Sequence, residues 1–269
     1  MSLARRTQER ILAMKAASAP ASGSGLAPTA AAGPAPAAAD QPARPTTAAA
    51  AIKLRLTHDL RRLAAIKAVT LKIAAKREML PEYRAWCDGL LAVGRVSPPK
   101  PLVPTGADEV LPTIMVWSID VGDYLRALEL AAHVLRHDVQ MPSRYQRDAA
   151  TLVLEEIAEA ALKAQAADQP FSLVVLEAVE RMVDGIDMHD EPRAKLLKAV
   201  GVELARAAGA ATPDIARPVL GRAIDRLERA QTLNDRSGVK THLKGLRRAL
   251  AALPAPENDI AGMDQDHAG

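Results

Sequence analysis

Aromatic side chains are almost missing from this sequence, which contains one Phe, two Trp and three Tyr among 269 residues. Strands draw on aromatic and β-branched residues, whereas helices favour Ala, which occurs 55 times here. The composition therefore predicts an all-α fold and argues against β-sandwiches and β-barrels. It also argues against modules that stack nucleic-acid bases on exposed rings.

The sequence offers few of the features that bind metals, cofactors or membranes. Its single cysteine, Cys87, rules out an intramolecular disulfide and fits a reducing compartment. No apolar run approaches the roughly 20 residues that span a bilayer, so we expect no membrane partner. There is no phosphate-binding Gly-rich loop, nucleophile elbow or dinucleotide fingerprint, so we expect no cofactor and no ATP hydrolysis by this chain.

Positive charge is concentrated at the amino-terminal end. Residues 1–79 hold 13 Lys and Arg against 4 Asp and Glu, whereas the remaining residues hold 22 against 28. A basic end on a mildly acidic body indicates a polyanionic partner for that end, and nucleic acid is the commonest such partner inside a cell.

Changes in composition divide the chain into predicted segments. The Ala- and Pro-rich stretch cannot bury enough apolar surface to offset its ordering entropy, so it is interpreted as a disordered linker. The predicted segments are a basic helix at 1–17, this flexible linker at 18–47, a long basic helical segment at 48–92, a Pro-rich loop at 93–112, a helical-repeat domain at 113–253 and a disordered acidic tail at 254–269.

Apolar residues recur at helical spacing along the basic segment. This pattern predicts one long helix that starts near Thr46 or Thr47, either of which can cap it, and that stops or kinks at Pro81. The stripe is close to a coiled-coil seam and is expected to mediate self-association or to pack on the body. The predicted seam residues are Leu56, Leu60, Leu63, Ile66 and Ile73.

The same helix carries eight basic residues and one acid, Asp59, between Lys53 and Arg77. A charge run is often only a solvated helix face, but this one-sidedness favours contact with DNA phosphates. The predicted DNA-binding residues of this helix are Lys53, Arg55, Arg61, Arg62, Lys67, Lys72, Lys76 and Arg77. A second predicted DNA-binding set, in the short N-terminal helix, is Arg5, Arg6, Arg10 and Lys15.

Residues after Thr113 show a helical pattern with regular breaks. Gly122 permits a tight turn between helices, Ala127 and Ala131 permit close helix contacts, and Pro142 ends the pair. These features predict stacked antiparallel hairpins of the tetratricopeptide type, which act as a scaffold rather than as a catalytic site.

Two features allow a metal site to be considered. His133 and His137 are four residues apart on one helix, but no third ligand is evident, and histidines are favourable near a helix C-terminus in any case. Asp120 and Asp123 are weak candidates for a catalytic site that holds a divalent ion. Turn and capping roles are commoner for such acids, so we predict no metal and assign no catalytic residue.

Three stretches together resemble the small terminase subunit of peduovirus-type tailed phages, a family conventionally labelled the terminase endonuclease subunit. They are Lys76–Tyr83 with Trp86 just after, Met115–Tyr124 continuing to Met141-Pro142, and Arg193–Leu196 followed by the C-terminal hairpin. The middle stretch is the most specific. The resemblance covers residues 50 to 250 approximately, together with the short basic N-terminus.

The resemblance implies a subunit that binds double-stranded viral DNA at the packaging site in the cytoplasm of the bacterial host. It would direct cutting and packaging by a large subunit that carries the ATPase and nuclease, and it would form a homo-oligomer. Two alternatives stay open: a metal-dependent endonuclease in its own right, and a helical-repeat scaffold that binds only proteins.

Overall fold

The computed structural model describes residues 46–254, and every regular element among them is helical, which confirms the predicted all-α class. The predicted N-terminal helix, nearly all of the linker and nearly all of the acidic tail lie outside these residues. The helices are α1 (Thr47–Ala65), α2 (Val69–Met79), a 3-10 turn (Leu80–Tyr83), α3 (Arg84–Val96), α4 (Val110–Val121), α5 (Tyr124–Arg136), α6 (Ala149–Ala166), α7 (Leu173–Met182), α8 (Asp190–Gly209), α9 (Pro213–Leu233) and α10 (Lys240–Ala252).

The chain divides into two compact units, one ending at Val153 and the other beginning at Leu154. This division falls inside the segment at 113–253 that was predicted as one helical-repeat domain. Across the part of the chain that is described, no helix combines the length and the apolar character needed to cross a membrane.

The structure differs from the single long helix predicted between Thr46 and Pro81. Thr46 caps α1 as expected, with its hydroxyl accepting a hydrogen bond from the Ala49 amide at 3.2 Å. The helix then ends at Ala65, because Ile66 and Ala68 adopt extended backbone angles, and α2 starts at Val69. The break redirects α2 so that Ala75 and the neighbouring Lys76 are buried in the first unit.

The first unit is built around α4, which is buried along almost its whole length from Val110 to Ile119. A helix that is apolar on all sides belongs in the centre of a fold. Tyr83 packs edge-on against Trp117 with ring centroids 5.9 Å apart. Gly122 ends α4 in the left-handed conformation, at φ 84°, which confirms the tight turn predicted before α5.

The second unit contains α7 to α10, with α9 packed on α8 and α10 packed on α9. Gly201 of α8 allows a close approach of α9, because a Cβ atom there would lie 2.7 Å from the Leu227 side chain. The tetratricopeptide-like stacking stays a prediction.

Candidate nucleic-acid interface

The solvent side of α1 is the candidate interface. The one acidic residue of α1, Asp59, does not lie on that side. Asp59 is only 7% exposed and accepts a 2.7 Å hydrogen bond from the Tyr83 hydroxyl. Burial and this bond to Asp59 raise the pKa of Tyr83 well above its usual range, so Tyr83 remains a donor. The exposed surface of α1 therefore carries cations and no exposed carboxylate of its own.

The basic residues of this region differ in what they contact. Arg55 pairs with Glu82 at 3.1 Å and Arg62 with Glu78 at 2.9 Å, on largely exposed side chains. Such exposed ion pairs contribute about 0–1 kcal/mol, so they do not lock the guanidinium groups in place. We call Lys53, Arg55, Arg61 and Arg62 of α1, together with Lys67 just after its end, the α1 basic surface, because all five are exposed.

Lys53, Arg61 and Lys67 are the most available members of this surface. Among the described residues, their side chains have no ion-pair or hydrogen-bond partner. Lys72 is half-buried on α2. The predicted set at Arg5, Arg6, Arg10 and Lys15 lies outside the described residues.

Lys76 and Arg77 have structural contacts instead. Lys76 is 8% exposed, and its ammonium lies 2.5 Å from the Asp120 carboxylate. Arg77 donates to the Val121 carbonyl at 3.2 Å. Lys76 is therefore not presented at the surface, and we leave it out of the candidate interface. Lys76 and Asp120 are 44 residues apart in the sequence, so no local pattern indicated that they form a pair.

Two of the five predicted seam residues lie buried inside the first unit. Leu56 and Leu63 are 1% and 0% exposed, so they pack on the body of their own chain. Leu60, Ile66 and Ile73 are half-buried. The five predicted seam residues do not include the large apolar residues that are exposed on α1 and α2. These are Leu54 (71%), Val69 (58%) and Leu71 (61%).

A basic cleft of about 350 Å³ lies beside the α4–α5 turn in the first unit. Arg77, Arg84 and Arg126 line it, with Asp123 at the same opening. Arg126 is bound to Glu129 at 2.6 Å and to Asp88 at 2.5 Å, so the Arg84 guanidinium is the more available charge. Arg84 lies beyond the basic run that ends at Arg77, so the sequence pattern did not indicate it.

Asp120 and Asp123 have roles in the fold. Asp120 pairs with Lys76, and Asp123 caps α5 by accepting from the Arg126 amide at 3.3 Å. No group of three His, Cys, Asp or Glu side chains suited to a metal ion occurs between residues 46 and 254.

His133 and His137 are packed together, with ring centroids 4.7 Å apart. The two ring nitrogens of His137 lie 3.0 Å from the Lys100 carbonyl and 3.1 Å from the Gly94 carbonyl. Burial, followed by the nearby His137, lowers the pKa of His133. The pair therefore fixes the contact between α3 and α5.

These features define an all-helical protein in which one helix presents a surface rich in basic side chains. Its sequence matches the family described as "Phage small terminase subunit" over residues 53–191, and the chain belongs to that family. It is 34% identical over 221 residues to the "Terminase, endonuclease subunit" of Escherichia phage P2. The aligned region covers 82% of this chain and 81% of that protein. No solved structure matches the chain. Membership of the family supports a role in phage DNA packaging.

Proposed function

We propose that this chain is the terminase subunit that binds double-stranded viral DNA through the α1 basic surface and directs its cutting and packaging. The observation that carries the proposal is the separation of charge on α1. Lys53 and Arg61 are exposed without partners among the described residues, whereas Asp59 is buried under Tyr83. Lysine and arginine supply charge to phosphates without requiring a particular base, and the scarcity of aromatic rings favours duplex over single strands.

The partners proposed for this role follow the family. The chain would act in the host cytoplasm with a large subunit that supplies the ATPase and nuclease. Several protomers together would add many weak phosphate contacts, which raises the overall affinity for DNA by avidity.

A salt titration of DNA binding tests the proposed function. Fluorescence anisotropy with the full chain and a labelled duplex should give a log–log slope of about −5 if about six phosphates are neutralised. Replacing Lys53, Arg61 and Lys67 together by Gln should reduce the slope by about 2 to 3.

The matched control replaces three exposed cations elsewhere, Lys100, Lys163 and Arg181, by Gln. We expect this variant to bind as the wild type does. An unchanged slope in the α1 variant excludes this surface as the DNA site. A wild-type chain without salt-dependent affinity rejects DNA binding and favours the protein-binding scaffold.

Self-association is tested separately. Leu54 and Leu71 are large apolar side chains that are exposed on α1 and α2, which makes each a candidate for contact between protomers. We expect the mass in light scattering to exceed that of one 28.6 kDa chain. Replacing Leu54 and Leu71 by Ser should lower that mass without loss of helix content, and an unchanged mass places the contact elsewhere.

A second candidate is endonuclease activity by this chain alone, which the name of the phage P2 relative favours. Asp123 is the better residue for a test, because Asp120 supports the fold through Lys76. If Asp123 is the catalytic acid of a nuclease, the purified wild type nicks DNA in the presence of Mg²⁺. The Asp123→Asn variant retains a capping side chain and does not nick DNA. Cutting only when the large subunit is added removes this candidate.

A further inference from the structure

The last helix of the second unit is a local concentration of positive charge. Residues 154–254 contain fifteen Lys or Arg and fifteen Asp or Glu, so this part of the chain is neutral as a whole. Within it, α10 carries four Lys or Arg and no acid. We call Lys240, Lys244, Arg247 and Arg248 the α10 stripe.

Packing on α9 turns the stripe towards solvent. Leu243 is 7% exposed and packs with Leu227 of α9, and Leu246 and Leu250 extend the same apolar face. Because an α-helix advances 100° per residue, cations at positions i, i+4, i+7 and i+8 line up beside that face. All four side chains of the stripe are exposed.

Elsewhere in this unit, seven of the eleven Lys and Arg side chains bond to carboxylates or to backbone carbonyls. Lys195 lies 3.4 Å from Glu155 and 3.3 Å from Glu159, and Arg226 lies 2.8 Å from Glu180. In the stripe, Arg247 pairs with Glu228 of α9 at 2.6 Å.

Lys240, Lys244 and Arg248 have no ion-pair or hydrogen-bond partner within residues 46–254. Three of the four stripe cations are therefore left without a partner in the described part of the chain, whereas most of the other cations in the unit have one.

The loop that leads into α10 holds the stripe in place. The Lys198 ammonium donates to the Ser237 carbonyl at 2.7 Å, and the Gln231 amide donates to the Asp235 carbonyl at 2.8 Å. Arg236 lies in this loop, is exposed, and adds a further cation next to Lys240. The position of α10 on the unit is thus set by both the loop bonds and the apolar face.

We infer that the α10 stripe is a second surface that contacts the phosphate backbone of double-stranded DNA, separate from the α1 basic surface. The inference rests on the proposed DNA-binding function. At 1.5 Å per residue the stripe is about 12 Å long, and a duplex presents one phosphate charge per about 1.7 Å of its axis, so several phosphates lie within its reach.

Two features of the stripe favour DNA over a protein partner. Protein interfaces depend on aromatic and large apolar anchors, and the sequence contains no aromatic residue after Phe171. Thr241, Gly245 and Ala249, which are exposed beside the stripe on the side opposite the apolar face, are small or polar residues that let a nucleic-acid backbone approach closely.

The test replaces Lys240, Lys244 and Arg248 of the full chain by Gln and measures duplex affinity from about 50 to about 200 mM salt. We expect the log–log slope to become shallower by about 2 to 3 and the affinity at low salt to fall roughly tenfold or more. The variant Lys240→Arg, Lys244→Arg and Arg248→Lys should bind as the wild type does, since it keeps the charge.

Two results overturn the inference while the proposed function stands. The first is a wild-type slope in the α10 Gln variant under conditions where the α1 variant loses affinity. The second is normal DNA binding by the α10 variant together with loss of its complex with the purified large subunit, which makes the stripe a protein-docking surface. If the wild-type chain itself does not bind DNA, the proposed function and the inference fail together.

The chain's own acids after Pro254 are the remaining competitor for the stripe. They are Glu257, Asp259, Asp264 and Asp266. If these acids alone engage the stripe, the α10 Gln variant retains wild-type DNA affinity, and the inference is overturned. If DNA engages it, the α10 Gln substitutions weaken DNA binding even when all four acids are changed to their amides.

Discussion

Tyr83 donates a 2.7 Å hydrogen bond to the buried carboxylate of Asp59, and this contact joins α1 to the 3-10 turn before α3. Tyr83 is 0% exposed and packs against Trp117 of α4. The ring of Tyr83 therefore packs in the core. Its hydroxyl holds the Asp59 carboxylate away from the solvent side of α1.

Tyr83→Phe should destabilise the chain by about 1–3 kcal/mol, because the Asp59 carboxylate loses its donor while the ring packing is kept. The measurement is the free energy of unfolding in urea. In a double-mutant cycle, adding Asp59→Asn should recover part of this loss. Strictly additive effects of the two substitutions would show that the hydrogen bond contributes nothing.

Lys76→Met should cost about 3–5 kcal/mol, because it removes the Lys76 ammonium from a largely buried ion pair with the Asp120 carboxylate. Lys76 and Asp120 are 10% and 14% exposed at their side chains. The double variant Lys76→Met, Asp120→Leu should be more stable than Lys76→Met alone. Arg61→Met, at an exposed cation, is the control and should change stability by less than about 0.5 kcal/mol.

Gly94→Ala should destabilise the first unit by about 1–3 kcal/mol, the usual cost of overpacking. A Cβ atom at Gly94 would lie 2.4 Å from the His133 ring and 2.8 Å from the His137 ring. Gly89 lies on the same helix with nothing within 4 Å of an added Cβ. Gly89→Ala is therefore the matched control and should stabilise the helix by about 0.5–1 kcal/mol. Equal effects of the two substitutions would contradict the close contact.

Stability should fall as the pH drops below about 6.5, the ordinary pKa of histidine. Burial and His137 lower the pKa of His133 in the folded chain, so the unfolded chain binds the proton more readily in this range. The stability that depends on neutral His133 is fully present above about pH 6.5. It is lost as the pH falls through the window between the pKa values of His133 in the unfolded and the folded chain.

Urea unfolding from about pH 7.5 to about pH 5.5 checks this pH dependence. The His133→Gln variant should show a shallower decline than the wild type. His58→Gln, at a side chain that is 79% exposed, should keep the wild-type decline. Parallel curves for the wild type and His133→Gln would remove His133 as the cause.

Sequence patterns predicted the helices after Thr113 because each break is marked by a local signal such as Gly122 or Pro142. The break after Ala65 contains no Gly or Pro, so the helical spacing of apolar residues in the sequence continues through it. Burial of Ala75 and Lys76 beside α4 decides that break, and such a tertiary contact cannot be read from spacing alone.

The candidate interface was predictable only in part, for a similar reason. The excess of cations on α1 is visible in the sequence, and the exposed positions of Lys53 and Arg61 agree with it. The partners of Arg62 and Lys76 are 16 and 44 residues away, so only the structure separates exposed cations from buried ones.

The break after Ala65 also limits how far one chain would reach along DNA in the proposed interface. At 1.5 Å per residue, the 19 residues of α1 form a straight rod of about 28 Å. One turn of duplex DNA is about 34 Å long, so α1 of one protomer stays within a single turn. A protected footprint longer than one turn therefore requires contributions from other surfaces or from further protomers.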